Sequence, residues 1–269
     1  MRQAPVTLEH LDQLLRDRLG RSLAEVIKDI DPGPDEALFW SGSWLDGFAN
    51  SRSDIDLYLV TTRSRFTGGV PEVTGPGMPP MEMTIVPGTT RLDLTVVPLE
   101  LLREVGRFLD ALDTDNDYPT AWSDNLREFV HRLIIGIPLV PDSPFEEFRS
   151  LVDPGKFRGY LKRFYQNRAD SLFEDVQGLL DEGETVGAAL VARKRMEAAF
   201  DMYLATIGET NTRVDKWRWK KIQRSFAPDD ALVRRFLACV AVDQEAGIDS
   251  LTLTKACVAL GDELILRAV

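Results

Sequence analysis

The chain has 269 residues, 44% of them hydrophobic and 28% charged, and carries a net charge of -11 with only two histidines and two cysteines. That balance excludes a disordered polymer and provides enough apolar mass for one large or two ordinary cored domains. The negative field excludes nucleic acid as a default partner and suits a small cationic ligand, and no apolar run is long enough to span a bilayer.

The N-terminal stretch MRQAPVTLEHLDQLLRDRL is amphipathic and mixed in charge, unlike a secretion signal, so a cytoplasmic location with no membrane partner is expected. Leu8, Leu11, Leu14 and Leu15 recur at helical spacing. Leu19, Leu23, Val26 and Ile27 extend that helix or form a second one before the break at Asp31-Pro-Gly-Pro. ALFWSG reads as a short strand and WLDGFAN as a short helical segment. DIDLYLV is a second strand, and the Gly/Pro-rich RSRFTGGVPEVTGPGMPP that follows reads as a loop. MEMTIV and RLDLTVV alternate and are separated by Pro87-Gly88-Thr89-Thr90, which predicts an antiparallel hairpin. PLELLREVGRFLDAL and AWSDNLREFVHRLIIG read as helices and GIPLV as a last short strand. Beyond Pro154 the pattern is helical throughout, with about five helices. The expected division is therefore 1–153, a small mixed sheet with flanking helices, and 154–269, a C-terminal helical bundle. The fold class is α+β. Cys239 and Cys257 lie in apolar helical stretches and read as buried thiols rather than as a disulfide or zinc site.

The stretch GSWLDGFANSRSDIDLYLV carries the chemistry. Alternate side chains of a strand share a face, so Asp54 and Asp56 project one way while Ile55, Leu57 and Leu59 enter the core. Like charges held side by side call for a compensating cation, and oxygen-only ligands suit Mg²⁺. Asp93, flanked by Leu92 and Leu94, repeats the pattern on a strand that can lie beside the first. Three such carboxylates can share two metal ions about 3.5–4 Å apart, the arrangement that clamps attacking and leaving oxygens in phosphoryl transfer. Gly42 permits a tight turn and a close ligand approach, Ser43 offers a hydroxyl, and the following turn's N–H groups favour phosphate. Arg52 either neutralises ligand phosphate or balances Asp54.

Gly42-Ser43, a ten-residue spacer, Asp54-Ile55-Asp56 and a later Asp93 together resemble the DNA polymerase β-like nucleotidyltransferase superfamily. Ser53-Asp54-Ile55-Asp56-Leu57 resembles its bacterial small-molecule branch, which includes aminoglycoside and other antibiotic nucleotidyltransferases. The resemblance covers residues 38 to 97. It implies two Mg²⁺ ions on Asp54, Asp56 and Asp93, and an NTP donor, ATP in the leading case, held by Gly42, Ser43, Arg52 and Ser53. It further implies transfer of a nucleoside monophosphate to a small-molecule acceptor, with pyrophosphate released. The C-terminal bundle would help form the acceptor pocket, in a monomer or homodimer.

Such enzymes often use a carboxylate base, and no motif locates it here. Glu82 on the hairpin and Glu197 in RKRMEAAFDMYL are candidates, although Glu197 also fits an exposed ion-pair ladder with Arg193. Lys216 opens the basic-aromatic segment KWRWKK, which either reaches triphosphate or buries one Trp and leaves its lysines in water. His131 reads as structural, and Met78, Met81 and Met83 read as gap-filling apolar residues. Asp113-Thr-Asp115-Asn-Asp117 imitates a calcium loop but lacks its glycine, and Walker A, HExxH and G-x-S-x-G motifs are absent. Two other classes fit the same residues: a nucleotidyltransferase that modifies protein or tRNA, and a non-catalytic nucleotide-binding module.

Overall fold

The computed structural model describes residues 6–63, 70–72, 74–75, 78–85, 92–114, 122–240 and 249–268. The chain forms two compact units, Met1–Ala111 with Trp122–Asp153, and Leu112–Ala121 with Pro154–Val269. The second unit opens at the Pro154 break and also takes in the 112–121 segment, which the sequence pattern alone does not associate with it.

Two helices begin the first unit, α1 (Leu8–Leu19) and α2 (Leu23–Ile30). They are separate because Gly20 ends α1 in the left-handed region (φ 66) and Ser22 restarts the chain with a capping box. The Ser22 hydroxyl accepts from the Glu25 N–H, and the Glu25 carboxylate accepts from the Ser22 N–H.

The strands are β1 (Ala37–Ser41), β2 (Ile55–Thr61), β3 (Val70–Glu72), β4 (Met81–Ile85), β5 (Leu92–Pro98) and β6 (Ile137–Pro138). They form one sheet in the order β3-β4-β5-β2-β1-β6. Among the described residues only β2 and β5 pair in parallel, so the sheet is mixed. One face presents Leu38, Trp40, Ile55, Leu57, Leu59, Leu92, Leu94 and Val96 to Leu11, Leu15, Val26 and Ile30 of α1 and α2. The other face is covered by α3 (Leu99–Ala111), α4 (Asp124–Ile135) and the short α5 (Phe145–Ser150). Phe39 stacks on Tyr58 there at 5.2 Å, with Phe145 and Phe129 packed against that pair. The two faces differ in composition, which fixes the register: a one-residue slip would turn Asp56 and Asp93 into the aliphatic layer against α1 and α2 and move its leucines to the other face.

Two expectations need correction, and one helix was not anticipated. WLDGFAN is a run of turns rather than a helix, because Gly47 takes a left-handed φ of 72 and the N–H groups of Phe48 and Ala49 return to the Ser43 carbonyl. The stretch read as an unbroken Gly/Pro loop contains β3, an edge strand on β4 in which Pro71 lies opposite Glu82. Phe145–Ser150 is a helix too short to show periodicity. The predicted hairpin is present as β4 and β5, while its turn, Pro87–Thr90, lies outside the described residues, as do Asp115 and Asp117.

The second unit contains, among the described residues, α6 (Pro154–Asp181), α7 (Thr185–Thr206), α8 (Val214–Ser225), α9 (Ala231–Val240) and α10 (Ser250–Ala268). Its core gathers Met196, Phe200, Leu204, Ile222, Phe236, Leu260 and Leu264, and Cys239 and Cys257 are buried in it as free thiols. The α+β class expected from the sequence is the class observed. No helix among the described residues is long and apolar enough to cross a membrane.

Candidate active site

The carboxylates lie at the N-terminal ends of β2 and β5. Parallel pairing places Asp56 directly opposite Asp93, and antiparallel pairing places Ser41 opposite Asp56. Cross-strand partners share a face, so Ser41, Asp56 and Asp93 form one row. Asp54 precedes β2 by one residue and is exposed, while Asp56 and Asp93 are partly buried.

Asp56 and Asp93 both feel the charge of Asp54. Burial pushes the Asp56 carboxyl up to about 6; the nearby Arg132 guanidinium opposes this, while Glu128, Asp93 and Asp54 add to it. Asp93 is likewise raised, first by burial and then by the charge of Asp54. Among the described residues, no three His, Cys, Asp or Glu side chains stand close enough together to hold a metal ion. The trio shares a face and a field without closing into a ready-made cation cage.

Gly42 joins this row to the turn that follows β1. Its φ of 105 lies where side chains are rarely tolerated, and a Cβ there would run into Oδ2 of Asp56. Ser43 is buried, with its carbonyl accepting from Phe48 and Ala49. Gly42 is therefore brought against Asp56, which pairs with Asp93, and Ser43 follows in the turn.

The remaining candidates behave differently. Ser53 is buried and its hydroxyl accepts from the Asn50 N–H at 2.9 Å, so it shapes the loop ahead of β2. Arg52 is exposed on that loop, and its N–H donates to the Asn50 side chain. Glu82 lies opposite Val96, a core residue on the face turned toward α1 and α2. Strand alternation therefore puts Glu82 on the face opposite Asp93, which removes it as a base for this site.

Glu197 and Lys216 belong to the second unit. Glu197 does not pair along its own helix; its Oε2 accepts from Arg218 of α8 at 3.0 Å. The same guanidinium holds the buried Asp201 at 2.8 Å. In KWRWKK, Trp217 is buried and Trp219 is exposed, with the Lys216 ammonium 4.7 Å from the Trp217 ring centre. Lys221 departs from the expectation of solvated lysines. It is fully buried, donating to the Asn211 carbonyl at 2.9 Å and standing 3.6 Å from Asp201.

A buried group beside the acid row was not read from the sequence. Asp46, in the turn after Gly42, meets His131 and Arg132 of α4, and Arg132 also meets Glu128. Of these, His131 was expected to be structural. The available signal was the i,i+4 pair Glu128 and Arg132 on a helix facing the sheet, but its link to Asp46 spans 86 residues.

No protein-family model matches the chain, and no curated protein matches it. The solved structure of a nucleotidyltransferase-like protein from Exiguobacterium sibiricum superposes at a TM-score of 0.48 and 11% identity, over 95% of this chain and 74% of that one. A superposition this loose assigns no family. The functional argument rests on the acid row and its turn.

Proposed function

We propose that this protein is a Mg²⁺-dependent nucleotidyltransferase that works in the cytoplasm. It moves a nucleoside monophosphate, AMP from ATP in the leading case, onto a hydroxyl of a small cationic molecule of the aminoglycoside kind. One observation carries the reading: Asp56 and Asp93 pair in register on neighbouring parallel strands, beside a turn whose glycine leaves no room for a side chain.

The donor chemistry fits a divalent cation. Asp54, Asp56 and Asp93 offer only carboxylate oxygens, which suit Mg²⁺, and the like charges that add to the effect of burial on Asp56 and Asp93 are a cost that a cation would relieve. As they stand the three do not close around an ion, so they would have to draw together to hold the metal, which when bound would supply charge neutralisation for the phosphates and the attacking oxygen. The protein's own contribution is positioning. Gly42 lets the chain pass directly against Asp56, and the turn that follows it, closed on the Ser43 carbonyl, would supply the groups that receive phosphate.

The reading is tested by pyrophosphate release from ATP and other NTPs across a panel of hydroxyl-bearing acceptors. Release that requires both Mg²⁺ and an acceptor, and is lost in Asp93→Asn, is the expected result. Nucleotide binding with no release across the panel would make the protein a binding module instead.

A further inference from the structure

The charged group on α4 is placed where neither the motif nor the proposed chemistry calls for it. Arg132 Nη1 donates to Asp46 Oδ2 at 3.0 Å, Nη2 donates to Glu128 Oε1 at 2.7 Å, and His131 Nε2 lies 3.2 Å from the same Asp46 oxygen. The Arg132 carbonyl accepts from the Ser41 hydroxyl at 2.9 Å. One residue of α4 thus holds the chain on both sides of Gly42: Ser41 through its backbone and Asp46 through its side chain. Relative exposures of 8% for Asp46, 9% for Glu128, 2% for His131 and 3% for Arg132 mean that all four sit out of water.

A stability role alone explains this poorly, because apolar residues commonly replace buried ion groups at no loss of stability, whereas fixing a unique geometry is a use such groups do serve. A guanidinium also suits the task better than an ammonium, since its planar fork reaches Asp46 and Glu128 in fixed directions. Arg132 Nε is buried without a hydrogen-bond partner, so the group is held here at some cost.

We propose that Arg132 is a positioning residue of the site: by gripping Ser41 and Asp46 it keeps the Gly42–Ala49 turn pressed against the Asp56 carboxylate, in the shape that receives the nucleotide. The part of this concerning nucleotide rests on the nucleotidyl-transfer reading; the grip on the turn does not.

Arg132→Met alone would leave Asp46 and Glu128 buried without their cation and risks unfolding the unit. The informative variants are therefore Arg132→Lys and the triple Asp46→Asn, Glu128→Gln, Arg132→Met, which removes the trio's charges together. Hydrogen exchange read by mass spectrometry should show peptides covering residues 42–49 exchanging about tenfold faster in both, with α1 and α2 unchanged. Arg195→Lys is the control: it alters an equally buried arginine, 2.6 Å from Asp262 in the helical unit, and should leave 42–49 as in the parent. The KM for ATP with Mg²⁺ should rise about 10- to 100-fold in the triple variant and less in Arg132→Lys, with kcat moving less than KM. Unchanged exchange at 42–49 in both variants overturns the proposal. Unchanged KM beside faster exchange overturns its nucleotide-positioning half, and absence of NTP turnover in the parent protein overturns the nucleotidyl-transfer reading while the exchange data still decide the grip.

Discussion

At the scale of single residues, the site is a place where folding and function pull apart. Asp56 is the clearest case, because its carboxyl is pushed up to about 6 from an ordinary value of 3.8. A carboxyl raised in the folded state binds its proton more tightly there than in the unfolded chain. Ionising it therefore costs stability, fully above pH 6 and not at all below the unfolded pKa. Asp56→Asn is expected to raise the unfolding free energy by about 2 kcal/mol at pH 7.5 in chelator-treated buffer, with no gain at pH 3.5, while turnover is lost. Denaturant titrations at the two pH values measure both halves. Gly42 is subject to the opposite constraint. Gly42→Ala forces a side chain into both an unfavourable φ and the Asp56 carboxylate, so a loss of about 1–3 kcal/mol and of nucleotide binding is expected from the same titrations and a binding assay.

At the scale of elements, strand alternation accounts for most of what the sequence made legible. The apolar run Ile55, Leu57, Leu59 and its acidic counterphase at Asp56 reappear as the two faces of β2, with Asp54 one residue ahead of the strand, and Asp93 falls into the same row as Asp56 because Leu92 and Leu94 face the core beside it. The same rule, applied through the hairpin register, sends Glu82 to the other face, so Glu82→Gln should leave turnover within about twofold of the parent in a steady-state assay. What escaped the sequence has identifiable causes. β3 holds a proline and sits among glycines and prolines, which read as loop, yet an edge strand tolerates a missing donor. α6 begins at Pro154, ahead of the first clear apolar period, because proline is well suited to the first turn of a helix. The partners of Glu197 and Lys221 come from neighbouring segments rather than from helical spacing, and only the packed helices reveal them. Arg218→Met should destabilise the helical unit by about 3–5 kcal/mol, read by thermal unfolding, because it strips the buried Asp201 of its closest cation.

At the scale of the whole molecule, a net charge of -11 means that the acidic row operates within a negative field. On the proposed function, that field would draw in a polycationic acceptor and oppose a free triphosphate, so a metal accompanying the nucleotide would have two tasks, at the site and on approach. Raising salt from about 0.05 to 0.5 M should therefore raise the KM of a polycationic acceptor while leaving that of a neutral one nearly unchanged. The central claim is that Asp56 and Asp93 act together on one metal-borne nucleotide. Calorimetric titration of ATP into the parent protein, Asp56→Asn and Asp93→Asn, each with Mg²⁺ and with EDTA, tests it most directly. The account predicts saturable binding by the parent in Mg²⁺ alone and its loss in either variant; binding that survives EDTA, or that both variants retain, would contradict it.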